Sequence, residues 1–319
     1  MAEPIRVRLA EVAKALGGEL VRYKRLGGLG NEGFKLEVRD GRRIRRYAVK
    51  LYQGRNARLK AEKELALFRL MPRHGLRAPR IALVDLEGEF AGRPLLAWEW
   101  VEGVTAEKVL ERKKSRVTAA RALGAALARL HSIPLEELSP RLFGRGESFW
   151  RSEAEALRLL ARLAGPRGRV ASKVARTLEE LRVERPALVH GDYNPGNVLM
   201  ARDGVYIIDF EDARVGDPVF DVAYAYAFMS AGRKWELAKA FVLEYFRLSG
   251  LKARCFSSRL TAAAAKLYLF LNLKEVISVF KRKMGILYPL ADIAFLRPFK
   301  RHLEMLAGGR ATCPSSALA

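Results

Sequence analysis

The feature that most constrains the fold of this 319-residue chain is a change of pattern near Glu102-Gly103. Before it, from Leu20 to Trp100, strand-like runs alternate with turn signals around a single helix. The stretch LVRYKRLGGLGNEGFKLEV reads as two strands around a glycine-rich turn, and Asp40-Gly41 before RIRRYAVKLY is a type I′ hairpin signal. Residues 56–71 place Leu59, Leu65, Leu67, Phe68 and Leu70 at helical spacing, and Pro72, Gly75 and Pro79 end that helix. IALVDLEGEFAGRPLLAWEWVEG returns to strand and hairpin.

Beyond Gly103 helices take over. Residues 116–131, 149–163 and 172–181 have helical patterns, and everything from Pro218 to Leu306 reads as helix. Between them lies a compact block in which two short strands, VLM and VYIID, are joined at Arg202-Asp203-Gly204. The expectation is an α+β chain with a small antiparallel β-rich lobe over residues 1–101 and a larger, mainly helical lobe over 102–307. Residues 308–319, rich in Ser and Ala, are expected to be disordered. A cleft between unlike lobes is a usual place for a ligand.

The formal net charge is +23, and residues 39–63 hold ten Lys/Arg against two acids. Such a run could be the footprint of nucleic acid or another polyanion. Its aromatic residues do not alternate with the basic ones in a way that suggests base stacking, which favours a solvated surface. The apolar stretches 222–229 and 267–271 fall short of the roughly 18 residues of a membrane span, and the N-terminus has no signal-peptide core, so a cytoplasmic protein without membrane contact is expected. Cys255 and Cys313 lie far apart without CxxC spacing. Only five Asn and one Gln occur in the chain, so each Asn is informative.

Two of those amides, Asn194 and Asn197, sit in LVHGDYNPGNVLM, which is followed by VYIIDFEDARVGDPVFDVA. His190-Gly191-Asp192 ends an apolar strand, Asn197 follows Asp192 by five positions, and Asp209 ends the next apolar strand twelve residues on. Each polar residue alone would be a turn cap. Together they form the set that phosphoryl transfer requires, one carboxylate for a hydroxyl proton and hard oxygen ligands for magnesium.

The block resembles the HGDxxxxN and IDxxxxxxGDPxxD motifs of the aminoglycoside phosphotransferase and choline-kinase-like family, matching at His190, Gly191, Asp192, Asn197, Asp209, Gly216, Asp217, Pro218 and Asp221. The resemblance covers about residues 20 to 245 and implies a bilobal protein-kinase-like fold. It further implies transfer of the γ-phosphate of ATP to a hydroxyl of a small molecule, with Asp192 as base and Asn197 and Asp209 as Mg²⁺ ligands. Asp217 and Asp221 would tie down the loop after the metal site, and His131 and His190 would be structural.

The first lobe agrees with this. Gly28, Gly30 and Gly33 spell GxGxxG between two expected strands, where a phosphate loop of the kinase kind belongs; a dinucleotide fingerprint would open a helix. Lys50, in YAVK, is similar to the kinase lysine that contacts the α- and β-phosphates. Its carboxylate partner on the next helix would be Glu64, with Glu62 as competitor. LLAWEWVEG resembles the hinge, where backbone groups from Glu99 to Val101 would meet adenine, while at least one of Trp98 and Trp100 belongs to the core.

Three departures separate the chain from protein kinases. Glu211 replaces the glycine of DFG, Asn194 stands where Ser/Thr kinases place a lysine, and only seven positions separate Asp209 from Gly216. All three argue for a small acceptor over a peptide. A polyanion-binding protein on a kinase scaffold is the alternative from another class, and an atypical protein kinase is the third. For a cationic acceptor, Glu147, Glu153 and Glu155 are candidate acidic residues, or equally a solvated helix face.

Overall fold

In the computed structural model, residues 5–26, 31–112, 114–163, 169–183, 185–231, 235–251 and 259 are described. Gly28, Gly30, both cysteines, the sequence beyond 259 and the expected tail lie outside them. The chain forms two compact units, Met1–Val104 with Leu199–Asp212, and Thr105–Val198 with Ala213–Ala319.

The first unit opens with α1 (Ile5–Ala15), then β1 (Glu19–Leu26), β2 (Glu32–Asp40) and β3 (Arg43–Leu51). Helix α2 (Ala57–Leu70), β4 (Ile81–Asp85) and β5 (Leu95–Glu99) complete an antiparallel sheet in the order β1-β2-β3-β5-β4. Strand alternation divides its faces. Phe34, Leu36 and Val38 pack with Tyr47, Val49 and Leu51 against Leu9, Val12 and Ala13 of α1, so the N-terminal segment that carried no motif is a core cover. The opposite parity carries Lys50, which is paired in register with Gly33 on one side and Leu96 on the other.

The β2–β3 hairpin forms at Asp40-Gly41, with Asp40 opposite Arg43. Gly41 is left-handed (φ 58°) and Arg42 is not, so the turn carries its positive φ at the first central residue, as type II′ requires, and is not the expected type I′. Arg42 to Arg46 are all exposed rather than alternately so, because this end of the hairpin runs past the core.

Residues 199–212 join the first unit through β6 (Gly103–Thr105), β8 (Val198–Ala201) and β9 (Gly204–Ile207), a sheet ordered β6-β8-β9. Arg77 also bridges to Tyr206, and its Nε donates to the Asp203 carbonyl at 3.1 Å.

The second unit is mainly helical: α3 (Ala106–Leu110), α4 (Arg116–His131), α5 (Pro140–Phe143), α6 (Phe149–Leu163), α7 (Arg169–Leu178), α8 (Pro218–Ala231) and α9 (Trp235–Ser249). Strand β7 (Ala187–Val189), which leads into His190, pairs with β10 (Arg214–Gly216) and not with the β8–β9 hairpin. Phe149, Trp150, Leu157, Leu178, Val189 and Phe220 form its aromatic-rich core. Gly216 lies against this core. A Cβ there would stand 2.2 Å from the Phe149 ring, which is why the position accepts no side chain. Among the described residues, no helix is long and apolar enough to cross a membrane.

The architecture is α+β and protein-kinase-like, with an antiparallel sheet region followed by a helical one.

Candidate active site

In the first unit the polar centre is Glu64, fully buried on α2. Its Oε2 accepts from Lys50 Nζ at 2.7 Å and from the Tyr52 hydroxyl at 2.7 Å, and its Oε1 accepts from the Asp209 amide at 2.9 Å. Lys50 Nζ also donates to Asp209 Oδ1 at 2.6 Å. The lysine therefore pairs with Glu64. Glu62, one face round the helix, pairs with Arg58 at 3.1 Å. Burial alone would lower the pKa of Lys50, but the carboxylates of Glu64 and Asp209 outweigh it and raise the pKa above its ordinary 10.5. Burial, then Glu64, pushes the Tyr52 hydroxyl well above its usual range. Sequence reading missed Tyr52, although it stands only two residues beyond Lys50, just past the end of β3.

Asp209 is held with φ 70°, the only left-handed non-glycine among the described residues. That conformation costs roughly 1–3 kcal/mol, and such strain concentrates at functional sites. Here the Glu64 hydrogen bond to its amide holds it. Phe210 follows fully buried, edge-on to Phe68 at 6.2 Å, and Phe68 is edge-on to Trp98 at 5.4 Å. Trp98 is thus the core tryptophan of the pair. Trp100 instead carries Lys35 Nζ over its ring at 4.1 Å.

At the expected hinge, the amides of Glu99 and Trp100 donate to the carbonyls of Arg80 and Arg46, each at 2.9 Å, and Gly103 donates to Val101 O at 2.9 Å. The Glu99 side chain is half exposed and paired with Arg80, so only its backbone faces the role that the sequence suggests. Gly33 sits in β2 opposite Leu26 of β1 and Lys50 of β3.

In the second unit, Asp192 is braced by two amides. Asn197 Nδ2 donates to its Oδ2 at 2.8 Å and to its carbonyl at 3.0 Å, and Asn194 Nδ2 donates to its Oδ1 at 3.1 Å. Asn194 Oδ1 in turn accepts from the Gly196 amide at 2.8 Å, so the residue standing in place of a kinase lysine builds the turn. The Asp192 amide donates to His190 Nδ1 at 3.3 Å.

Beneath this loop Asp221 is fully buried. It accepts from the amides of His190 (2.5 Å) and Gly191 (2.9 Å) and contacts His131 Nε2 at 3.2 Å. Gly191 is left-handed (φ 83°), which lets two successive amides point at one carboxylate. Burial would raise the Asp221 pKa, but the His131 hydrogen bond, the His131 and His190 rings and the His190 amide outweigh it and hold the pKa below 3.8. Asp221 therefore ties down the loop that carries Asp192, not the one after Asp209. Asp217 accepts from Trp150 Nε1 at 3.2 Å, Arg259 Nε at 2.7 Å and the Val219 amide at 3.0 Å. Glu153 is buried and paired with Arg214, so a bound cation would have to displace that partner. Glu147 and Glu155 are exposed.

A lysine of the five-stranded antiparallel sheet, a carboxylate of α2 and an aspartate just past β9, in mutual contact and followed by helices, define a protein-kinase-like phosphotransferase scaffold. The chain belongs to the phosphotransferase enzyme family APH, whose family model matches residues 24–255. It is 28% identical over 217 residues to a homoserine kinase of Beijerinckia indica; the match spans 65% of this chain and 64% of that protein, just under two thirds of the relative's length. Its fold resembles an amicoumacin kinase solved with AMP-PNP and Ca²⁺ (TM-score 0.63, 16% identity, 94% and 95% of the two chains). It also resembles a choline kinase of Streptococcus pneumoniae (TM-score 0.62, 18% identity, 94% and 97%).

Proposed function

We propose that the protein is an ATP- and Mg²⁺-dependent kinase that phosphorylates a hydroxyl of a small molecule. The observation that carries this reading is the position of Lys50 Nζ, 2.7 Å from Glu64 and 2.6 Å from Asp209. Two carboxylates hold the ammonium charged and aimed, as a phosphate-binding lysine requires.

The donor set suits a hard cation. Asp209 offers a carboxylate whose backbone amide is already anchored, and Asn197 spends its Nδ2 on Asp192, so its Oδ1 is the atom that would serve as a ligand. When bound, magnesium would neutralise the phosphate oxygens. Lys50 orients the α- and β-phosphates, and the Glu99 carbonyl and Val101 amide read the adenine. Backbone amides of the glycine-rich stretch, with Gly28, Gly30 and Gly33, approach the phosphates. Asp192, fixed by Asn194 and Asn197, receives the proton of the attacking hydroxyl.

The homoserine kinase relative makes a small amino alcohol the first acceptor to try. The test is ATP turnover against homoserine, choline, ethanolamine, sugars and aminoglycosides, with phosphorus NMR of the product. A new phosphate monoester on one acceptor is expected. ATP hydrolysis without transfer to any of them would count against the reading.

A further inference from the structure

Glu211 stands two residues beyond Asp209 and draws together three segments distant in sequence. Its Oε2 accepts from Asn31 Nδ2 at 2.7 Å and lies 2.9 Å from Lys60 Nζ of α2. Asn31 stands just before β2, and its Oδ1 accepts from the Gln53 amide, just past β3, at 3.0 Å. Asn31 thus uses both ends of its amide, one toward the strand that carries Lys50 and one toward the loop that carries Asp209. Side chains of Glu211 and Lys60 are only 20% and 29% exposed, so this is a shielded charge-assisted contact rather than a solvated surface pair.

Neither proton transfer nor metal ligation needs Asn31. What the contact sets is register, because the head of β2 and Lys60 of α2 both end on the Glu211 carboxylate of the Asp209 loop, and the exit of β3 joins them through Asn31. We propose that Glu211 is a positioning residue that, through Asn31 and Lys60, fixes the head of β2 relative to Asp209, and so selects for a nucleotide's phosphates rather than its base. The proposal rests on the nucleotide reading above.

The test compares Asn31→Asp and Glu211→Ala with the exchanged pair Asn31→Asp/Glu211→Gln, which moves amide and carboxylate across the same contact. In the free protein, hydrogen exchange of a peptide over residues 31–36 should quicken about tenfold in each single variant and return toward wild type in the exchanged pair. With magnesium present, ATP affinity should fall about tenfold in the single variants while adenosine affinity holds, and the exchanged pair should regain ATP affinity. The proposal is overturned if the single variants bind ATP as wild type does, if ATP and adenosine affinity fall equally, or if the exchanged pair is no better than the single variants. A wild-type protein that bound no nucleoside triphosphate would overturn the nucleotide reading and this proposal together, an outcome distinct from those three.

Discussion

Glu64 accepts the backbone amide of Asp209 at 2.9 Å while its other oxygen holds Lys50 at 2.7 Å, so one buried carboxylate sets both a backbone conformation and a side-chain charge. Removing Lys50 therefore does two things. It takes a cation from the proposed phosphate site and leaves Glu64 with two donors where it had three.

Lys50→Met is expected to lower turnover about 100-fold or more and to cost about 2 kcal/mol of stability, the worth of a hydrogen bond to a charged group. Adding Glu64→Gln should return most of the stability and none of the turnover. Urea unfolding alongside initial rates checks this, and recovery of turnover in the double variant would remove Lys50 from the phosphate role.

Asp192→Ala and Asp209→Ala should each reduce turnover by about 100- to 10,000-fold, the range for loss of a general base or a key ligand. They should part in binding. Magnesium-dependent ATP affinity is expected to survive loss of Asp192 and to weaken on loss of Asp209, as calorimetry would read.

The depressed Asp221 pKa gives a pH dependence of definite sign. Its stabilisation is fully present above the unfolded value of about 3.8 and is lost as pH falls through the lower folded value. Asp221→Asn presents an amide N–H to either the His190 or the Gly191 amide, so it should cost about 2 kcal/mol or more at pH 7. The variant's stability should also fall less steeply between pH 5 and 2. An acid limb as steep as wild type would mean that another carboxylate governs it.

Much of this was legible in the sequence, and unevenly. The β2–β3 hairpin, α2, α4 and α6 could be read because their signals are local: turn residues, periodicity and a proline stop. The Glu64 pairing was legible because helical spacing put that residue, rather than Glu62, on the apolar side. Tyr52, the Asn31–Glu211 contact and the burial of Glu153 were not, since each depends on partners 12, 180 and 61 residues away. The pairing of β7 with β10 was missed for the same reason, as short apolar runs do not name their neighbours.

Gly216→Ala should destabilise the protein by about 1–3 kcal/mol, because the added methyl would overlap the Phe149 ring. Phe149→Leu in the same chain should relieve part of the loss. Additive losses in thermal or urea unfolding would show that the two residues do not compete for one space.

Changing Arg42, Arg43, Arg45 and Arg46 to Ser should leave ATP turnover within about twofold, as surface substitutions do. Arg45 and Arg46 are already engaged by Asp40 at 3.1 Å and Glu102 at 3.0 Å. RNA binding by wild type should be weak and give way at physiological salt. Tight binding with a log-log salt slope near −0.7 per phosphate contact, abolished by the four changes, would instead mark a nucleic-acid surface.

The first unit is assembled from two stretches of chain, residues 1–104 and 199–212, and this orders events on the ribosome. Lys50 and Glu64 are made 14 residues apart, but Asp209 follows Glu64 by 145 residues, roughly 7 to 30 seconds at ordinary elongation rates. Until then Glu64 has no Asp209 amide to accept and the β8–β9 edge is missing. A nascent chain stalled before residue 199 therefore carries the whole five-stranded sheet and none of the strained aspartate, so the Lys50–Glu64–Asp209 cluster is completed late in translation, after β9 rather than with the lysine.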